Sequence, residues 1–262
     1  MNICLFSQEE ITKPLSLKDE RAQHLIKIIH KKEGDSFHAG IIGGKAGTAV
    51  INKITEGENG TLSFTFSEES DGKNLSTLRM IIGFPRPIQL KRLLRDIAAL
   101  GVCEVHLTGT ELGEKSYMQS TLVEKGNAYK MLLDGTVQAA STHVPELFLH
   151  QNLKECLEYC QEHSSKEHAH HILRLALDNV NPKCSLNDAM TDLPCMLCTN
   201  PCAEGKAVYA AIGSERGWTD KERQLLEDFG YIRCGMGSRV MRTETAATVA
   251  GAIVLNKIGF LN

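Results

Sequence analysis

An α/β protein in two parts is predicted: a small β-rich domain over residues 1–70, a linker over 71–77, and a mostly parallel sheet with helices on both faces over 78–262. Three observations predict it. Short strand-like runs with glycine turns between them crowd the first 70 residues. Beyond the polar stretch around Asp71-Gly72, buried-strand runs alternate with helical periodicities, the pattern of a parallel sheet covered on both faces. Near the end, two such runs stop in glycine-bearing turns that feed helices.

In chain order, Ser16 and Asp19 read as a capping box that opens a helix running to about Lys32, before Gly34. Strand-like runs follow at Ser36 to Ile42, Thr48 to Ile54 and the alternating Leu62 to Phe66, which argue for a small β-barrel. Glu68 to Thr77 is polar and reads as the connection. The strand Leu78 to Phe84 opens the second domain, and Pro85 and Pro87 turn the chain into a helix from Ile88 to Leu100 that Gly101 ends. Val102 to Leu107 is the next strand. Helices are expected over Gln119 to Leu133 and Asn152 to Gln161, and a strand over Ile172 to Leu177.

The run Ala207 to Ile212 ends in Gly213-Ser214-Glu215-Arg216-Gly217. Thr219 and Glu222 then form a capping box for a helix that Gly230 ends. The run Tyr231 to Cys234 ends in Gly235-Met236-Gly237-Ser238-Arg239, and Thr243 is the expected cap of the last helix, through Ala246, Val249, Ala250, Ile253 and Val254. Two adjacent strands with glycine turns at their carboxyl ends make a crevice where backbone amides meet a ligand.

Bulk properties narrow the classes. The 262 residues are 42% hydrophobic, enough for a packed core, and no apolar run is long enough to span a membrane. No signal peptide opens the chain, and nine cysteines without a paired framework point to a reducing, cytoplasmic setting. The net charge of −3 gives no global attraction to nucleic acid, so an RNA partner requires local basic clusters. Lys27 and Lys31 on the first helix, with Arg79, Arg86, Lys91, Arg92 and Arg95 further on, are the candidates for tracking phosphates.

Other motifs are set aside. Ala39 to Ala46 is a near miss for a phosphate loop: Ala46 lacks the hydroxyl, and a strand follows where a helix is needed, so it reads as a hairpin turn. Cys195, Cys198 and Cys202 could offer three thiolates to zinc, with Cys184 or one of His163, His168, His170 and His171 as a fourth. Only one close pair is convincing, and no metal is assigned. The lack of G-x-G-x-x-G after a strand argues against a dinucleotide-binding oxidoreductase.

The stretch Ile212 to Gly217 followed by Met236-Gly237-Ser238-Arg239-Val240-Met241-Arg242-Thr243-Glu244-Thr245-Ala246 resembles the RsmE family of 16S rRNA uridine-N3 methyltransferases, in the SPOUT superfamily. Ser214 stands where that family has proline, and Arg216 where it has glycine. Leu175-Ala176-Leu177-Asp178 matches the family's first knot strand. His24 to Ile29 with Gly34-Asp35 matches its PUA-like RNA-binding domain. The resemblance implies a deep trefoil knot in the second domain, S-adenosyl-L-methionine as cofactor, 16S rRNA or the small ribosomal subunit as partner, and a homodimer with the last helix in its interface. It implies cofactor contacts from Leu177, Gly213, Ser214, Glu215, Gly217, Met236, Gly237, Ser238, Val240, Met241, Thr243 and Ala246. Arg242, Arg239 and Glu244 are the expected catalytic groups, and Lys27, Lys31, Arg86 and Arg92 the expected RNA contacts. The rival readings are a non-catalytic RNA-binding assembly factor that keeps the fold, and a SPOUT methyltransferase with another RNA target.

Overall fold

The computed structural model describes residues 2–120, 126–166, 171–191 and 206–261. Contacts divide the chain into two units: Met1–Asn74 with Thr136–Val144, and Leu75–Gly135 with Pro145–Asn262. A boundary drawn along the sequence cannot express the return of 136–144 to the first unit. There the Thr142 hydroxyl donates to the Gly44 carbonyl at 2.7 Å and the Ser141 hydroxyl to that of Lys73 at 2.8 Å.

The first unit holds β1 (Cys4–Phe6), β2 (Leu15–Ser16), β3 (Ser36–Ile41), β4 (Ala46–Thr55) and β5 (Thr61–Ser70) in the order β1-β3-β4-β5-β2. All pairs are antiparallel except β1 with β3. The alternation of β3 to β5 places Phe37, Ile51 and Leu62 in one core with Phe6 and Leu25. Ala39 to Ala46 is the β3–β4 hairpin, Gly40 lying opposite Ala46. The expected helix to Lys32 is shorter: α1 (Glu20–Gln23) widens into a π-turn over His24–Ile28 and stops. Its cap is Asp19, whose carboxylate accepts the Arg21 amide at 2.8 Å, while Ser16 belongs to β2. The β-branched Ile26, Ile28 and Ile29 propagate a helix poorly.

The second unit is a seven-stranded sheet in which every pairing is parallel. Its strands are β6 (Leu78–Gly83), β7 (Glu104–Thr108), β8 (Glu146–His150), β9 (His171–Leu177), β10 (Cys184–Ser185), β11 (Lys206–Ile212) and β12 (Ile232–Gly235), ordered β10-β12-β9-β11-β6-β7-β8. Their helices are α2 (Pro87–Leu100), α3 (Lys115–Met118), α4 (Asn127–Gln138), α5 (Leu153–Lys166), α6 (Leu186–Ala189), α7 (Asp220–Asp228) and α8 (Thr243–Lys257). Central strands are buried on both faces, so they read as continuous apolar runs. One face of β6 and β11 (Ile81, Tyr209, Ala211) packs under α5 and α7. On the other, α8 comes close enough for a side chain on Gly251 to meet Met80 and Leu100 at 3.7 and 3.4 Å.

Several expectations change. β8, β10 and α6 had no strong sequence signal, being short and partly exposed. Of the helix expected over Gln119 to Leu133, residues 121–125 lie outside the described residues and the rest falls on α4, which runs on to Gln138, while α3 precedes it; α5 runs on to Lys166. β11 and β12 are not adjacent: each pairs with β9, which lies between them. Cys195, Cys198, Cys202, His168 and His170 lie outside the described residues.

Candidate active site

In a parallel sheet all carboxyl ends reach one edge, and there β9, β11 and β12 deliver their turns side by side. The turns at 177–180, 212–217 and 234–241, with the start of α8, enclose a cleft of about 280 Å³. Leu177, Gly213, Ser214, Glu215, Gly217, Met236, Gly237, Val240, Met241, Thr243 and Ala246 all line it, as does Arg239. Ser238, Arg242 and Glu244 do not.

The backbone shape has local causes. Gly237 sits at φ +104°, a conformation L side chains rarely adopt, and a side chain on Gly213 would meet the Gly217 backbone at 3.0 Å. Thr243 does not cap α8; Arg242 occupies the cap position. The Thr243 hydroxyl instead donates to the Gly213 carbonyl at 3.4 Å, joining the second turn to the first.

Asp178 braces the cleft from beneath, a role no motif revealed. Its side chain is 1% exposed and meets Arg223 Nε at 2.7 Å and Arg233 Nη1 at 3.3 Å. Its amide donates to the Cys234 carbonyl at 3.0 Å, and the Trp218 indole donates to the Leu177 carbonyl at 3.1 Å. The turn after β9 is thus bonded to the end of β12 through the Asp178 amide and to the residue after the 212–217 turn through Trp218, while the Asp178 carboxylate ties in α7 and β12. Hydrogen bonding to Asp178 raises the Arg223 pKa, and hydrogen bonding to Glu227 raises that of Arg233, so both stay cationic. These arginines lie 45 and 55 positions from Asp178, so spacing gave no hint of the brace.

Of the catalytic candidates, Arg239 and Arg242 are exposed at the cleft and at its rim, and Glu244 is half-buried in the first turn of α8. The Arg242 and Glu244 side chains make no hydrogen bond or ion pair with a described residue. The two residues of the first glycine turn that depart from the family pattern part ways. Arg216 is exposed and reaches Glu114 at 3.4 Å, whereas Ser214 is buried with an Oγ that has no hydrogen-bond partner among the described residues.

The basic candidates also separate. Arg79 is buried against Glu104 at 2.6 Å and so is no phosphate contact. Arg86 and Arg92 stay exposed but pair with Glu215 at 3.3 Å and Asp96 at 3.7 Å. Lys27 is exposed and Lys31 half-buried on the first unit.

A parallel sheet with a glycine-walled cleft at its carboxyl edge is the layout of a protein that holds a small ligand on backbone amides, and here the family can be read directly. Residues 71–255 match the model of the RNA methyltransferase domain. The chain is 39% identical over 261 residues to the ribosomal RNA small subunit methyltransferase E of Treponema pallidum, covering 97% of this chain and 91% of that one. It is 28% identical to ribosomal RNA small subunit methyltransferase E 1 of Borreliella burgdorferi, covering 98% and 99%. The same fold occurs in the crystal structure of ribosomal RNA small subunit methyltransferase E from Neisseria gonorrhoeae bound to S-adenosyl methionine, with a TM-score of 0.73, 18% identity and 98% and 97% coverage. The chain belongs to the ribosomal RNA small subunit methyltransferase E family of RNA methyltransferases.

Proposed function

We propose that this protein transfers a methyl group from S-adenosyl-L-methionine to N3 of a uridine in small-subunit ribosomal RNA. The observation that carries the reading is the cleft itself: Arg239, Val240, Met241, Thr243 and Ala246 of the family-matching stretch line it, at the carboxyl ends of three parallel strands. The chain's own groups suit the cofactor. Leu177, Ile212, Met236 and Met241 offer apolar cover, while the turns offer backbone amides and the unpartnered Ser214 hydroxyl offers a polar contact. When bound, the cofactor supplies a sulfonium-held methyl.

Uridine N3 carries a proton at neutral pH and is a poor nucleophile until the proton leaves. Arg242, a fixed cation and forked donor at the rim, stabilises the negative charge that then spreads to the uridine carbonyl oxygen, assisted by Arg239. A guanidinium does not take up the proton. Glu244, near the positive end of α8, orients Arg242 or a bound water. Lys27, Lys31, Arg86 and Arg92 contact RNA phosphates.

The architecture we assign is a PUA-like RNA-binding domain over 1–70, a linker over 71–77 and a SPOUT domain over 78–262 with a deep trefoil knot. Supporting the knot, β9 lies between β11 and β12, so the chain leaving β11 passes to the far side of β9 before β12 forms. The protein works in the cytoplasm as a homodimer through α8. That helix is apolar around much of its circumference, with Ala247, Ala250, Gly251 and Val254 buried and Val249, Ala252 and Ile253 half-exposed. Among the described residues no helix is long and apolar enough to cross a membrane.

Mass spectrometry of ribosomal RNA nucleosides from a deletion strain tests the reaction: 3-methyluridine should disappear from small-subunit RNA and return with the wild-type gene. An unchanged nucleoside profile, together with no calorimetric heat for S-adenosylmethionine, would favour the non-catalytic assembly factor. Cofactor binding with a different lost nucleoside would identify another RNA target.

A further inference from the structure

On the opposite side of the sheet from β12, a buried group of side chains takes no part in the cleft. Tyr209, Arg79 and Glu104 lie in register across β11, β6 and β7. His106, two residues along β7, shares their face, and His150 on β8 lies opposite Thr108, two residues further on. Over them α5 places Cys156 and Cys160, one helical turn apart. His106 and Cys156 are fully buried, His150 is 5% exposed and Cys160 3%.

We propose that His106, His150 and Cys156 bind a structural zinc ion. Their donor atoms lie within 4.8 Å of one another. His106 Nδ1 and His150 Nε2 are 3.1 Å apart. Zinc bonds of ~2.0–2.1 Å to nitrogen and ~2.3 Å to sulfur set tetrahedral donor separations of roughly 3.3–3.7 Å. The nitrogen pair is therefore already at bridging distance, and the sulfur needs only a small side-chain shift. Cys160, in hydrogen-bond contact with both His106 and Cys156, is the candidate donor for the fourth position. Imidazole and thiolate without a carboxylate in the inner set select zinc over magnesium or calcium.

The outer contacts also fit. The other nitrogen of His106, Nε2, is 3.1 Å from Glu104 Oε2, and Arg79 Nε holds Glu104 Oε1 at 2.6 Å. A carboxylate behind a histidine is the arrangement that fixes the ring and raises its basicity toward a metal. Rings secure the ligands: Phe148 stacks on His106 at 4.8 Å, and Tyr159 lies 5.4 Å from His150. With every donor buried, the ion's role is to tie β7 and β8 to α5.

The test uses the full chain, stripped with chelator and reloaded with zinc. Native mass spectrometry should find one ion per chain, kept in a Cys195→Ser, Cys198→Ser, Cys202→Ser variant and lost in Cys156→Ser and in His150→Gln. Glu104→Gln should weaken zinc affinity about 10- to 100-fold. Because core variants can misfold, zinc-edge X-ray absorption on the unmutated protein provides the second arm and should report two nitrogen donors with one or two sulfurs. No zinc uptake, an ion lost with the Cys195 to Cys202 variant, or a shell of sulfurs alone or of oxygens would overturn the proposal.

Discussion

The two sides of the large sheet solve different problems with different materials. Around β9, β11 and β12 the polar groups are mostly backbone, exposed at the carboxyl edge by glycine turns and held by one buried aspartate. Around β7 and β8 they are side chains, sunk beneath α5 and partnered with one another. A backbone cleft must stay open to admit a ligand. A side-chain cluster of buried His, Cys, Glu and Arg is tolerated only if its members satisfy one another. The first region should therefore govern ligand affinity and the second stability.

Paired substitutions of the two buried carboxylates would break this comparison if it is wrong. Asp178→Ala removes the buried partner of Arg223 and Arg233 and leaves them only Asp220 and Glu227 among the described carboxylates, and Glu104→Ala removes the carboxylate facing Arg79. Each should cost about 3–5 kcal/mol in denaturant unfolding, as for other broken buried pairs. Calorimetry on the folded fraction should then separate them, with S-adenosylmethionine affinity lost in Asp178→Ala and kept in Glu104→Ala. Equal loss of affinity would mean that the sheet transmits disorder from one side to the other.

Next in size is Arg242→Ala, which should lower kcat by ~10²–10³, or about 3–4 kcal/mol in the barrier, with little change in melting temperature or cofactor affinity. The rising limb of its pH–rate profile should move to higher pH, since uridine then ionises unaided. Arg242→Lys should recover little, because one point charge does not reproduce the fork. Loss of cofactor affinity in proportion to activity would instead make Arg242 a brace of the turn.

Gly237→Ala tests the backbone half of the comparison more gently. At φ +104° a side chain is strained even with open space around it, at a cost of about 1–3 kcal/mol. If the turn relaxes to relieve that strain, cofactor affinity should fall about tenfold per 1.4 kcal/mol while the fold survives. Unchanged affinity would show that the ligand does not depend on this turn.

The smallest effect concerns Glu227, half-buried at the edge of the Asp178 brace. Hydrogen bonds from Arg233 and Lys183 hold its carboxyl below the ordinary value of 4.5. A depressed acid contributes stability that is present above its unfolded value and is lost as pH falls through its folded value. The difference in melting temperature between wild type and Glu227→Gln should hence be constant near neutrality and shrink only below about pH 4.5. A difference that instead grows on acidification would reverse the assigned sign.

By itself the sequence determined the class of fold, the places of most strands along the chain and the glycine turns that build the cleft. Ile212 to Gly217 and Met236 to Ala246 are contiguous, and glycine turns after apolar runs have a local physical cause that survives any tertiary setting. Tertiary structure decided the insertion of β9 between β11 and β12, the return of 136–144 to the first unit, and the burial of Arg79. It also decided that Thr243 bonds Gly213 in place of capping its helix, and that the first helix stops early. Asp178 with Arg223 and Arg233, and His106 with His150 and Cys156, meet only after strands pair and helices dock. Such contacts join positions 44 to 55 residues apart along the chain. Pairing energy at that separation depends on which surfaces become neighbours, and neither propensity nor periodicity encodes it.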